Sequence, residues 1–191
     1  ERKLLITIAY KLLMDHHTYT LSDLASQFHL SKSDVLDCVT RIQTWCEKFD
    51  VTITLKRKQG IIIDASGSDL SNAVLHLNQL SSNEIKVEDL ILQELPQGHI
   101  QRIHHIIKKH IQASELQTSD NQVRQLLVHL ILIIKRSNSE ELDWESNPTS
   151  LAIARQCIKD INQQLGYQLT YETSQLFSFF TELEKTILKF I

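Results

Sequence analysis

Apolar residues recur along most of this chain at intervals of three and four, the spacing that lines one face of a helix. Leu4, Leu5, Ile8, Leu12 and Leu13 predict a first helix over residues 2–15. Thr20 with Asp23, and Ser31 with Asp34, set a hydroxyl three residues ahead of a carboxylate, so two capped helices are predicted on either side of a tight turn at Phe28, His29 and Leu30. Ala25 leaves room for close crossing, and Val35, Leu36, Val39, Ile42, Trp45 and Cys46 are expected to bury the second of the pair. The period then shortens to two. The alternating runs VTITLKR and GIIID meet at Lys58, Gln59 and Gly60 and predict a β-hairpin over 51–64.

Helical spacing returns over 68–80 and again over 87–95, where Pro96, Gln97 and Gly98 predict a stop. From His99 onward the pattern is that of a helical bundle. Ile100, Ile103, Ile106, Ile107 and Ile111 form one stripe of a helix over 99–112, with His104, His105, Lys108, Lys109 and His110 on its surface. Ser119 with Gln122 caps the next helix, whose stripe is Val123, Leu126, Leu127, Leu130, Ile131 and Ile134. Gln122, Gln125, His129, Leu132, Ile133 and Arg136 lie round its other side, so this helix is expected to be covered from two directions. After a polar loop containing Trp144, Asn147 and Pro148 start a further helix that Gly166 ends. Leu176, Phe177, Phe180, Leu183, Ile187 and Leu188 then close the bundle. The predicted class is mainly α, in three parts: residues 1–80 with the hairpin, a linking stretch over 81–98, and an all-α bundle over 99–191.

Composition changes this picture little. A hydrophobic fraction of 42% with 23% charged residues is that of an ordinary globular chain able to build its own core. Cys38, Cys46 and Cys157 are too widely spaced for a disulfide framework, and neither a leader-like segment nor an apolar run of spanning length is present, so a cytoplasmic, reduced setting is expected. Glu1 at the first position points to a processed or excised chain. A net charge of −3 leaves any nucleic-acid contact to a local patch.

Two capped helices across a short turn form a helix-turn-helix, and a hairpin after it makes the module winged. Lys56, Arg57 and Lys58 at the hairpin tip are the densest basic cluster in the chain and suit contacts to phosphates. On the preceding helix Lys32, Ser33, Asp37 and Arg41 are the candidates to face DNA. Asp37 repels the phosphate backbone unless it accepts from a cytosine amino group. The histidines over 99–112 hold no pair at i, i+4 spacing and no completing cysteine or carboxylate, so no metal site is expected. With no glycine-rich phosphate loop, paired apolar carboxylates or nucleophile motif, neither an enzyme nor a resident cofactor is expected.

The order Leu21, Leu24, Ala25, then Leu30, Ser31, Lys32, Ser33, then Trp45, Lys56 to Lys58, Gly60, Ile61, Gly67 and Ser68 resembles the winged helix-turn-helix of Mga/BglG-type regulators. LLVHLILIIKR resembles the histidine-bearing helix of PRD domains, the phosphotransferase-system regulation domains of BglG-type antiterminators and MtlR/LicR-type activators. In that pattern an arginine, here Arg136, stands seven positions after the histidine, here His129. The chain departs from the family at Asp34, Asp37 and Cys38, and at Phe180, which stands where a second PRD histidine is usual.

The resemblance implies a DNA-binding regulator, an activator of carbohydrate uptake or metabolism, that binds double-stranded DNA as a homodimer. It further implies phosphorylation of His129 by the phosphocarrier protein HPr or an enzyme II component, with Arg136 pairing the phosphoryl group. A second reading keeps DNA binding and dimerisation without phosphotransfer, as in an Mga-class virulence-type regulator or a degenerate PRD, with His129 a core residue.

Overall fold

The computed structural model describes residues 2–81, 85–114, 118–136, 148–171, 173–174, 177–178 and 181, with the side chains of residues 2, 3, 68 and 136 outside that description. The fold is mainly α with one small antiparallel sheet. It divides into two compact units, Glu1–Asp89 and Leu90–Ile191.

In the first unit, α1 (Arg2–Met14) buries Leu5, Ile8, Leu12 and Leu13 and packs against α3 (Lys32–Cys46), α4 (Gly67–Leu75) and a 3-10 turn at Leu77–Leu80. Between α1 and α3 lies α2 (Leu21–Phe28), which inserts Leu24 into the same core and packs on α3. The hairpin pairs β1 (Thr52–Lys56) with β2 (Gly60–Asp64) in the register Thr52↔Asp64 to Lys56↔Gly60, so its loop is Arg57, Lys58 and Gln59. Ile53 and Ile61 turn inward while the tip is exposed.

Four expectations are corrected here. Leu36 is 40% exposed, because Val35, Val39, Ile42 and Cys46 already fill the buried face of α3 and position 36 falls about 100° round from it. The helix after the hairpin starts earlier and is shorter than 68–80: Ser66, whose Oγ accepts from Asp69 N–H at 3.1 Å, caps α4. Beyond Leu75 the chain tightens into the 3-10 turn that buries Leu77. The following helix, α5 (Val87–Ile91), ends well before residue 95. Ahead of Pro96 the α conformation is disfavoured, and the last N–H groups bond three residues back, Gln93 to Leu90 and Glu94 to Ile91. Pro96 then starts the next helix instead of merely ending the last. Its carbonyl accepts from His99 and Ile100, and α6 runs from Gln97 to Ala113 through both residues that had signalled a stop.

In the second unit, α6 (Gln97–Ala113) packs against both α7 (Asp120–Arg136) and α8 (Pro148–Leu165). Its five stripe isoleucines are all buried. Full burial of an aliphatic side chain contributes about 1.5–3 kcal/mol each, so this stripe dominates the local packing. The expected capping box of α7 forms, with Ser119 N–H donating to Gln122 Oε1 at 2.6 Å and Gln122 N–H to Ser119 Oγ at 3.3 Å. Beyond the predicted stripe, Val128, Leu132 and Ile133 are buried too, so α7 is enclosed on most of its circumference; Ile134 is half-buried. Gly166, at φ +73, ends α8 and donates its N–H to Asn162 O. Phe177 is buried as expected, whereas Trp144, Asn147, Leu176, Phe180, Leu183, Ile187 and Leu188 lie outside the described residues.

Candidate nucleic-acid interface and histidine helix

The helix pair of the first unit is set by local hydrogen bonds. Thr20 N–H donates to Asp23 Oδ2 at 2.8 Å and Asp23 N–H donates to Thr20 Oγ1 at 3.1 Å, a reciprocal box that starts α2. These bonds, the Thr20 N–H first, hold the Asp23 carboxyl below its usual pKa. His29 then takes a left-handed conformation, φ 54, and Leu30 N–H reaches back to Ala25 O, which ends α2 and turns the chain. Ser31 caps α3 by accepting from Asp34 N–H at 3.1 Å while its hydroxyl donates to Asp34 Oδ2 at 2.6 Å. Asp34 is therefore occupied with starting its helix.

Every residue that sequence reasoning assigned to DNA is exposed. Lys32, Ser33, Asp37 and Arg41 lie on α3, and Lys56, Arg57 and Lys58 lie at the hairpin tip. The two groups differ in charge. On α3, Lys32 and Arg41 are balanced by Asp34 and Asp37, and Asp37 and Arg41 line one shallow hollow with Leu5, Leu30 and Cys38. At the tip three cations stand together without a carboxylate among them. Attraction for an anion is thus concentrated at the tip, and α3 offers a neutral, mixed face.

Two bonds to main-chain carbonyls hold that tip in place. Gln43 Nε2 on α3 donates to Ile53 O at 2.6 Å, and Ile61 N–H donates to Tyr19 O, just ahead of α2, at 2.8 Å. Gly60 sits beside the second bond at φ +88, where an added Cβ would lie 2.6 Å from Tyr19 O. Sequence reasoning passed over Gln43 and Tyr19 as positioning residues; Gly60 was the one signal, read as a turn residue and as part of the family resemblance and not as the point of close approach.

In the second unit His129 is half-buried on α7, and its Nδ1 lies 2.6 Å from Gln125 O one turn earlier. The Arg136 side chain, assigned to pair a phosphoryl group, lies outside the described residues, as does Phe180. A pairing that sequence reasoning missed joins α6 to α8: His110 Nε2 is 2.6 Å from Asp160 Oδ2, with both side chains mostly covered. His99 Nδ1 similarly meets Tyr167 Oη at 2.7 Å. These partners are 50 and 68 residues apart, beyond any local motif. Burial, aided at Cys157 by Asp160, pushes the thiols of Cys46 and Cys157 up to about 12. Among the described residues no cluster of His, Cys, Asp and Glu is arranged to hold a metal ion. No helix among them is long and apolar enough to cross a membrane.

No family model matches the chain. Over 136 residues, 71% of its length, it is 20% identical to the transcriptional regulator ManR of Bacillus subtilis (strain 168), and the chain spans about a fifth of that protein, 21%.

Proposed function

We propose that this chain is part of a transcription regulator of carbohydrate uptake or metabolism. Its first unit binds double-stranded DNA as a winged helix-turn-helix, and its second is a PRD-like bundle that receives a phosphoryl group on His129 from HPr or an enzyme II component. The observation that carries the DNA-binding part is the hairpin tip. Lys56, Arg57 and Lys58 are exposed, uncompensated by acid, and fixed to the helix pair through Tyr19 O and Ile53 O. The likeness to a transcriptional regulator supports the same reading.

On this reading phosphates are gripped by the hairpin, while the neutral face of α3, through Lys32, Ser33, Asp37 and Arg41, adds selectivity more than attraction. Each phosphate neutralised adds about 0.9 to the slope of log affinity against log salt. Replacing Lys56, Arg57 and Lys58 by glutamine therefore lowers that slope by up to about 2.7. Titration of a labelled duplex at several salt concentrations measures it, and an unchanged slope would remove the hairpin from the interface.

Phosphorylation would bring nearly two negative charges to an apolar helix, a cost of several kcal/mol unless a cation such as Arg136 or a partner surface meets them. That cost is the switch: the α7 surroundings, or a contact between two bundles in a homodimer, must repack. Intact-mass analysis after incubation with phosphoenolpyruvate, enzyme I and HPr should show one acid-labile phosphate, absent in His129→Ala. A binding and dimerisation module without phosphotransfer is the second reading, favoured by the hydrogen bond from His129 to its own helix; no mass gain would install it.

A further inference from the structure

Leu36 stands on the outward side of a helix whose buried face is already filled. Among the described residues the exposed large apolar side chains are Leu36, Leu55 and Tyr171, at 40%, 37% and 50%. A single exposed leucine is ordinary on a protein surface, so its position decides what it means. The two in the first unit lie on α3 and β1, the elements that the DNA-binding reading sets against the duplex. Leu55 immediately precedes Lys56, and Leu36 lies one turn after Lys32 and one turn before Thr40. Gln43, which bonds to Ile53 O, follows Leu36 by two turns, so Leu36 is on the side of α3 that faces the hairpin.

The hydroxyls along that side are engaged within the helix. Thr40 Oγ1 donates to Leu36 O at 2.8 Å and Thr44 Oγ1 donates to Thr40 O at 3.1 Å, so both protons are committed to main-chain carbonyls. Leu36 itself carries no donor or acceptor in its side chain. A helix laid in the major groove meets N7 and O6 of guanine, N7 and the amino group of adenine, the amino group of cytosine, and O4 and the C5 methyl of thymine. Of these groups the methyl is the one that an alkyl side chain covers without stripping water from a hydrogen-bonding atom. We infer that Leu36 selects for a thymine in the DNA site by packing on its C5 methyl group. The inference deepens the reading of the first unit as a DNA-binding module and rests on it.

This divides the interface by physics. The basic tip grips phosphates, and that attraction weakens as salt rises. Leu36 is uncharged, so the preference it confers is independent of salt and adds nothing to binding of a duplex without the thymine.

The test uses the full chain and a duplex that it enriches from a random-sequence library. That duplex is remade with deoxyuridine in place of each thymine in turn, which removes the methyl and nothing else. For the wild-type chain one replacement should weaken binding by about fourfold, the worth of one methyl group taken out of water, and the ratio should hold as salt is raised. Leu36→Ala, which folds because alanine suits a helix and position 36 is outside the core, should bind the thymine and uracil duplexes alike. Leu36→Met, of similar volume, should keep the preference. Lys56→Gln should weaken both duplexes by the same factor. A uracil effect of equal size in wild type and Leu36→Ala belongs to the duplex alone and overturns the inference, as does a scan with no sensitive thymine; in either case DNA binding stands. Failure to enrich any duplex removes the DNA-binding reading itself, and the role of Leu36 with it.

Discussion

Gly60, Gly166 and Gly98 separate two costs that usually arrive together. Gly60 has φ +88 and a site where Cβ would meet Tyr19 O at 2.6 Å, Tyr19 C at 3.2 Å and Thr20 Cγ2 at 3.4 Å. Gly166 shares the positive φ, +73, but an added Cβ would meet nothing within 4 Å, and Gly98 in the first turn of α6 has neither constraint. Left-handed backbone costs a residue with a side chain about 1–2 kcal/mol. Against this, alanine recovers about 0.4–1 kcal/mol by restricting the unfolded chain. Gly166→Ala should therefore lose about 1 kcal/mol, and Gly98→Ala should gain about 0.5 kcal/mol. Gly60→Ala adds a contact that real Cβ atoms do not make, with main chain and not a yielding side chain. Relief requires moving Tyr19 O, which stretches or breaks its bond from Ile61 N–H, a further loss of about 1 kcal/mol. With the same alanine recovery subtracted, the total at Gly60 is about 2 kcal/mol. Hydrogen exchange along a urea series, followed on peptides from each unit separately, measures all three variants. A loss at Gly60 no larger than at Gly166 would mean that the Tyr19 carbonyl does not constrain position 60, and that the hairpin is not held there.

Three further outcomes follow from the same geometry. Thr20→Ala removes the side-chain half of the α2 capping box and should cost the first unit about 1 kcal/mol in a urea midpoint, leaving the second unit unchanged. Asp160→Asn replaces the carboxylate partner of His110 and should cost the second unit about 1–2 kcal/mol, read from exchange of α6 and α8 peptides; full stability would mean that the contact contributes nothing. The buried thiols of Cys46 and Cys157 have a folded pKa of about 12 against an ordinary 9.0. The stability that goes with a raised acid pKa is fully present below pH 9 and is lost towards pH 12, since only the unfolded chain releases those protons. Each thiol adds a slope of about 1.4 kcal/mol per pH unit in that window to the unit that holds it, and Cys157→Ala should remove the thiol contribution from the second unit's urea midpoints between pH 9 and 10.5 while leaving the first unit's unchanged.

The local signals in this sequence were legible because each is completed within one turn of chain. Thr20 with Asp23, Ser31 with Asp34, Ser119 with Gln122 and the isoleucines of α6 each form where the pattern placed them. Errors arose where two local signals competed. Ser66 and Ser68 both preceded the α4 stripe, and Ser66 had the carboxylate three residues on. Pro96 with Gly98 resembled a stop, yet proline fits a helix start, and Gly98 is tolerated in the first turn. Leu36 was assigned inward by counting apolar residues without phase. For the candidate sites, exposure of the basic tip and the isolation of His129 on an apolar helix followed from composition along the chain. The partners did not. Gln43 to Ile53 O, Tyr19 O to Ile61, and His110 to Asp160 depend on packing between elements, for which one sequence has no periodic mark.

The bond from Ile61 N–H to Tyr19 O joins main chain to main chain. Neither side chain takes part in it, so the aim of the hairpin does not depend on what residues 19 and 61 display, provided that position 60 carries no Cβ. Arg57, Lys58 and Gln59 in the loop can then be exchanged for other residues without re-aiming the loop that bears them. A lineage using this arrangement could change what its hairpin tip touches one substitution at a time, with Gly60, and Gln43 whose side chain makes the second anchoring bond, as the positions that cannot drift.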